Sequence, residues 1–171
     1  MFVSGSWRAV EDTPQASAGQ AINDLLLLLL SRLTSAAMFT HDTTIRVRYG
    51  ETDQMGYVYY GDYAEYLEVG RVEALRMLGF PYRRLEEEGV MLPVHELSVR
   101  YHQPARYDDE LTVRTIIDHL PSVRIEFRYE IRNASGQLLT DASTTLVFVD
   151  KATMRPTRAP EALLAVLRPW L

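Results

Sequence analysis

The sequence predicts an α+β domain: one antiparallel sheet of about five strands wrapped around a single long helix. Three observations carry this. One strand pattern comes before an apolar stretch of helical period, and four further strand patterns follow it. The connections among the later strands are short, and a parallel crossover would need a dozen residues or more. A lone sheet and one apolar helix cover their apolar surfaces by packing on each other, with the helix against the concave face.

The chain has 171 residues, about one domain at roughly 150 residues each. A chain of this length hides about 70% of its unfolded surface. Hydrophobic residues make up 47% and charged residues 24%, ordinary values for a globular protein. The net charge of −5 argues against a nucleic-acid module held by phosphate contacts. There is no cysteine. That excludes a disulfide framework, a thiolate-ligated metal and a cysteine nucleophile, and it fits a cytoplasmic protein. All but one of the 18 basic residues are arginine, Lys151 being the exception. Genome composition accounts for such a bias, whereas anion recognition by arginine depends on position.

Residues 1–24 show no sustained period, and Leu25 to Leu30 form an apolar run closed by Ser31 and Arg32. A membrane span needs about 20 apolar residues, so no span is expected. A secretory leader needs a basic segment ahead of its apolar run, and here only Arg8 faces Glu11, Asp12 and Asp24. Met38-Phe39-Thr40-His41 then leads into a strand pattern. Residues 1–40 therefore read as an extension, disordered or partly helical over Ile22–Leu33, and 41–171 as the domain.

Thr44 to Tyr49 alternates, with Ile45, Val47 and Tyr49 on one face of a half-buried strand. After a glycine-containing loop the period becomes helical over Asp62–Leu78, through Tyr63, Tyr66, Leu67, Gly70, Ala74, Met77 and Leu78. Val69, Val72 and Leu75 widen that stripe, so the helix should be covered on more than one side. Gly79-Phe80-Pro81 stops it, and a short helix is expected from Tyr82 to Glu88. Leu97, Val99 and Tyr101 alternate, as do Leu111, Val113, Thr115 and Ile117. Val123–Ile131 interleaves apolar residues with charges of alternating sign, and Asn133–Gly136 reads as a hairpin turn. Leu138–Val149 is apolar on both faces near its end, as a central strand would be, although its edge is also expected to need cover. Pro160–Leu167 reads as a short terminal helix.

No phosphate-binding GxxxxGK[ST] loop and no GxSxG elbow occurs. His41, His95, His102 and His119 form no HxxxH pair, so no metal site is predicted. The informative segment joins the first strand to the long helix. Asp53 is a loop carboxylate, Gly56 permits a tight turn, and Tyr60-Gly61 sits at the helix start. There, unpaired N–H groups and the positive dipole end favour developing negative charge. A carboxylate beside backbone donors is the minimum equipment for attack on an acyl carbonyl. The spacing alone also fits a simple turn or cap.

The run Arg48-Tyr49-Gly50-Glu51-Thr52-Asp53-Gln54-Met55-Gly56-Tyr57-Val58-Tyr59-Tyr60-Gly61-Asp62-Tyr63 resembles the signature of hotdog-fold acyl-CoA thioesterases of the 4-hydroxybenzoyl-CoA thioesterase type. Tyr101-His102-Gln103-Pro104-Ala105-Arg106-Tyr107-Asp108-Asp109 resembles the family's tyrosine, Pro-Ala and Asp-Asp turn. Leu146–Asp150 with Met154-Arg155-Pro156 resembles its closing strand. The resemblance covers about residues 43–168 in one register.

It implies hydrolysis of an acyl-CoA to free acid and coenzyme A, without metal or redox cofactor, in a homodimer or homotetramer with sites between subunits. Asp53 matches the catalytic aspartate, acting as nucleophile or as general base. Tyr60 matches the position whose backbone N–H polarises the thioester carbonyl; many relatives carry histidine there. Gly56 matches the turn glycine beside the substrate, with Tyr57 and Val58 following it as substrate-binding residues. Ser122 matches a serine near the pantetheine and phosphates. The basic residues that often precede that serine are replaced by His119-Leu120-Pro121, so either Arg124, Arg100 or a partner's arginine meets the phosphates, or the carrier differs from CoA; Arg124, Arg128 and Arg132 also fit a solvated sheet face paired with Glu126 and Glu130. Another branch of the family places its carboxylate on the long helix, where Glu65 and Glu68 are the candidates. Tyr57, Tyr59, Met91 and Leu92 are candidate acyl contacts. Two other functions share this pocket: a non-catalytic acyl-CoA binder, and a hydratase, which would need a histidine near the carboxylate.

Overall fold

The computed structural model describes residues 38–171. The expected helix over Ile22–Leu33 lies outside them. Strand β1 (Phe39–Arg46) leads through a 3-10 turn (Tyr49–Glu51) and a loop into α1 (Tyr63–Met77) and α2 (Tyr82–Glu87). Then come β2 (Val90–Met91), β3 (Val94–Tyr101), β4 (Glu110–Ile117), β5 (Arg124–Asn133), β6 (Leu138–Val147), β7 (Val149–Asp150) and α3 (Glu161–Leu167). A second 3-10 turn spans Arg168–Trp170. The main sheet has the order β1-β4-β5-β6-β3, and every pairing in it is antiparallel. This is the expected five-stranded sheet around one helix.

β1 begins at Phe39, five residues before the expected strand, and ends at Arg46. Val47 is buried as predicted, but Tyr49 turns into the 3-10 segment and is 80% exposed. β5 is the cleanest case of alternation: Ile125, Phe127, Tyr129 and Ile131 are fully buried between exposed or half-buried charges. The β5–β6 hairpin closes with the Asn133 side chain accepting the N–H of Ser135 and of Gln137. Gly136 adopts φ 81° there, a region that favours glycine.

Strand order is where the structure departs from the expectation. β3 does not pair with β4, its neighbour in sequence. It crosses to the far side and, among the described residues, pairs only with β6. β6 is therefore interior, and the open edge next to it is β3, not the 138–149 strand. Every residue of β3 except Val99 is exposed. Phe148 interrupts the long strand, and Val149–Asp150 pairs instead with β2 in a separate two-stranded ribbon.

Helix α1 buries Tyr63, Tyr66, Leu67, Gly70, Ala74 and Leu75. Gly70 is what allows close approach to β4: a Cβ there would lie 2.8 Å from both Thr115 Oγ1 and Val113 Cγ1. Val69 and Met77, counted in the apolar stripe, are exposed. Arg71 is buried in their stead. Its Nε donates to the Tyr82 hydroxyl at 3.2 Å and its Nη2 to Glu68 at 3.0 Å. Burial disfavours its charge, but Tyr82, Tyr129 and Glu68 outweigh that and hold it protonated.

Candidate active site

The loop between β1 and α1 is built around Glu51, an acid with only 9% of its surface exposed. Its Oε2 accepts the Arg48 N–H and the Tyr66 hydroxyl, each at 2.7 Å. Its Oε1 meets Arg48 Nε at 2.6 Å. Burial, and then the neighbouring carboxylate, raise the Tyr66 phenol above its ordinary range, which keeps it a donor. The Glu51 main-chain carbonyl accepts the Tyr59 N–H at 2.9 Å. One residue thus closes the loop from Glu51 to Tyr59 and ties it to α1.

Inside that loop the Asp53 N–H donates to the Tyr57 carbonyl, and the Gly56 N–H to the Asp53 carbonyl, both at 3.0 Å. The Asp53 Oδ1 accepts the Met55 N–H at 2.8 Å. This is the local turn that the spacing alone predicts, and among the described residues the second oxygen, Oδ2, accepts no hydrogen bond. Gly56 adopts φ 78°, which explains its place at the tip. The far side of the loop is held by the Val58 N–H, which donates to the Ala105 carbonyl at 2.9 Å.

Tyr60 lies three residues before α1. Its carbonyl accepts the Tyr101 hydroxyl at 2.9 Å. Among the described residues no acceptor takes the Tyr60 or Gly61 N–H, and no side chain caps α1. The positive end of the helix is therefore open.

Asp53, Tyr57, Val58 and Tyr60 line one cavity of about 410 Å³. Met55, Tyr63, Tyr101, His102, Gln103 and Pro104 complete its wall. Its lining is largely aromatic and apolar, with one carboxylate: a site for an acyl group beside a reactive oxygen. Of the candidate acyl contacts, Tyr57 lines it and Tyr59, Met91 and Leu92 do not, which fits their alternative reading as plain packing. Glu65 and Glu68 lie on a different cavity with Ala64 and Val69, so they do not share the Asp53 pocket. Sequence reasoning missed Glu51, Tyr63 and Tyr101 as site residues. Tyr101 carried a signal, since it heads the Tyr-x-x-Pro-Ala segment of the resemblance.

Ser122 and Arg124 line a third cavity of about 500 Å³ with His119, Leu120, Pro121, Val123 and Glu126. It shares no residue with the Asp53 pocket. The Ser122 backbone is held by its N–H to the Arg124 carbonyl and by the Ala159 N–H to its own carbonyl. Among the described residues Arg124 forms no ion pair, whereas Arg128 pairs with Asp118 at 2.7 Å. Burial would raise the Asp118 carboxyl, but His119 and Arg128 outweigh it and hold the group below its ordinary value.

Residues 47–167 match the model of the thioesterase-like superfamily. The chain belongs to that superfamily. It is 38% identical over 112 residues to the putative acyl-CoA thioesterase YneP of Bacillus subtilis, covering 66% of this chain and 81% of that one. It is 36% identical over 121 residues to the acyl-CoA thioester hydrolase YbgC of Escherichia coli, covering 71% and 90%. A DHNA-CoA thioesterase structure from Staphylococcus aureus superposes with a TM-score of 0.67 at 37% identity, over 70% of this chain and 80% of that chain. The helix wrapped in a five-stranded antiparallel sheet is the hotdog fold of this superfamily.

Proposed function

We propose that the protein is an acyl-CoA thioesterase that releases a free acid and coenzyme A, with a catalytic domain that starts with β1 at Phe39, two residues before the expected boundary at 41, and an extension ahead of it. One observation carries the reading: Asp53 and Tyr60, whose amide meets no backbone acceptor among the described residues, line the same cavity. Asp53 delivers the attack, either directly or by taking a proton from water. The new C–O bond forms at the thioester carbon, and the carbonyl oxygen gains negative charge beside the Tyr60 N–H. Collapse of that intermediate breaks the C–S bond: in the water route the thiolate takes the proton that Asp53 removed, and in the direct route water then cleaves the acyl-aspartyl anhydride to the free acid, supplying the proton for the thiolate and restoring Asp53. A preorganised donor at the oxyanion is worth about 3–4 kcal/mol of barrier. Superfamily relatives named as acyl-CoA thioesterases support this substrate class.

Gly56, Tyr57 and Val58 shape the acyl side. Ser122 and Arg124 take the pantetheine and phosphate side. In one chain these groups line separate cavities, which supports a homodimer or homotetramer in which a second copy brings its Ser122–Arg124 groove to the Asp53 pocket. The exposed β3 edge supports the same assembly. No described helix is long and apolar enough to cross a membrane. The reading includes a cytoplasmic location, in keeping with the absence of cysteine.

The test is thiol release from acetyl-, butyryl-, octanoyl- and benzoyl-CoA by the wild type and by Asp53→Asn. The wild type should turn over at least one of them, and the variant should lose about 100-fold or more in kcat. Wild-type rates in the variant would remove Asp53 from the chemistry. Tight binding of every ester without turnover would make the protein a binder, and hydration of an enoyl-CoA a hydratase.

A further inference from the structure

We propose that Tyr101 is a positioning residue for the oxyanion site: its hydroxyl, presented by the open edge strand, holds the turn that offers the Tyr60 amide to substrate. The proposal rests on the thioesterase reading of the Asp53 pocket.

The argument follows the peptide units one by one. The Tyr60 N–H belongs to the unit formed by Tyr59 and Tyr60. The carbonyl of that unit accepts the Asp62 N–H at 3.0 Å. A peptide engaged at its carbonyl is polarised, and its free N–H becomes the better donor. The unit before it is pinned by the Tyr59 N–H on the Glu51 carbonyl at 2.9 Å. The unit after it is pinned by the Tyr101 hydroxyl on the Tyr60 carbonyl at 2.9 Å. Because each peptide is planar, fixing both neighbours leaves the middle unit little freedom to rotate its N–H away. Two of these three ties are backbone bonds. The third is the only one that a side chain makes.

Tyr101 is well placed for the task. Its ring meets the Tyr63 ring edge-on, 5.1 Å between centroids, and Tyr63 opens α1. It lines the cavity with Asp53 and Tyr60. It stands at the end of β3, a strand bonded on one side only among the described residues, opposite Thr140 of β6. The oxyanion turn is thereby tied to the edge on which a second copy would sit, and not to the interior of the sheet.

Tyr101→Phe removes the hydroxyl and keeps the ring that walls the pocket. With the fastest substrate of the four-ester panel, kcat should fall about 10-fold while KM stays within about 3-fold, a smaller loss than deleting an oxyanion donor outright. Hydrogen exchange at the Asp62 and Ala64 amides, which close the turn, should quicken. A variant with wild-type kcat, even one of lowered Tm, would reduce Tyr101 to packing and overturn the proposal. So would unchanged exchange at both amides, and this second readout decides the tie even if the wild type hydrolyses none of the esters. That last result would instead sink the thioesterase reading, through the Asp53 experiment.

Discussion

A loop carboxylate such as Asp53 is chemically useful only where something else fixes it. Glu51 ties down the loop that carries it, and is itself nearly buried and satisfied by three contacts at 2.6–2.7 Å. Removing it strands the buried Tyr66 hydroxyl and the Arg48 N–H. A buried donor without a partner costs about 1–3 kcal/mol. Glu51→Ala is therefore expected to lower stability by about 3 kcal/mol in urea unfolding, and to reduce kcat by loosening the start of the loop from Arg48 and from α1. A variant of wild-type midpoint would show that Arg48 and Tyr66 find water instead. Glu51 was hard to see from sequence, because acids in loops are usually solvated and nothing local says that this one is enclosed.

At the scale of elements, α1 and β4 show how one missing side chain sets a packing distance. Ala is the better helix former by about 1 kcal/mol, so propensity alone makes Gly70→Ala a stabilising change. Space argues the other way. The added Cβ would lie 2.8 Å from two buried, β-branched side chains, Thr115 and Val113, which have little rotamer freedom to retreat. Overpacking of this kind costs about 1–3 kcal/mol and should win. Net destabilisation of about 1–2 kcal/mol is expected from thermal or urea unfolding, and an increase in Tm would show that the helix can lift off β4. The period of α1 was legible from Tyr63 to Leu75. Arg71 was not, since its burial depends on Tyr82 and Tyr129 arriving from other elements.

For the whole molecule the decisive feature is the position of β3. Leu97 and Val94 lie exposed along an unpaired edge, a surface that invites another strand. A second copy there would cover the apolar residues and join the two grooves that a single chain keeps apart. Leu97→Lys, a substitution of the kind natural edges use against pairing, should shift the protein toward monomer in sedimentation velocity and reduce hydrolysis with it. A wild type that sediments as a monomer at assay concentration would refute the shared site.

Local signals were sufficient for much of this molecule. Alternation over Val123–Ile131, helical period from Tyr63, and the Asn133–Gly136 turn all depend on neighbours a few residues away, so their causes are written in the chain itself. The turn at Asp53–Gly56 ahead of a helix start was legible for the same reason, because it is a local device, whereas the site roles of Asp53 and Tyr60 came from the family resemblance. Strand order was another matter. Nothing within Val94–Tyr101 states that its partner is β6, some forty residues away, and not the adjacent β4; that choice is made by which faces the whole sheet can bury around α1. The Tyr101–Tyr60 bond follows from it, and the burial of Arg71 likewise needs partners distant in the chain, which is why only the folded chain decides them.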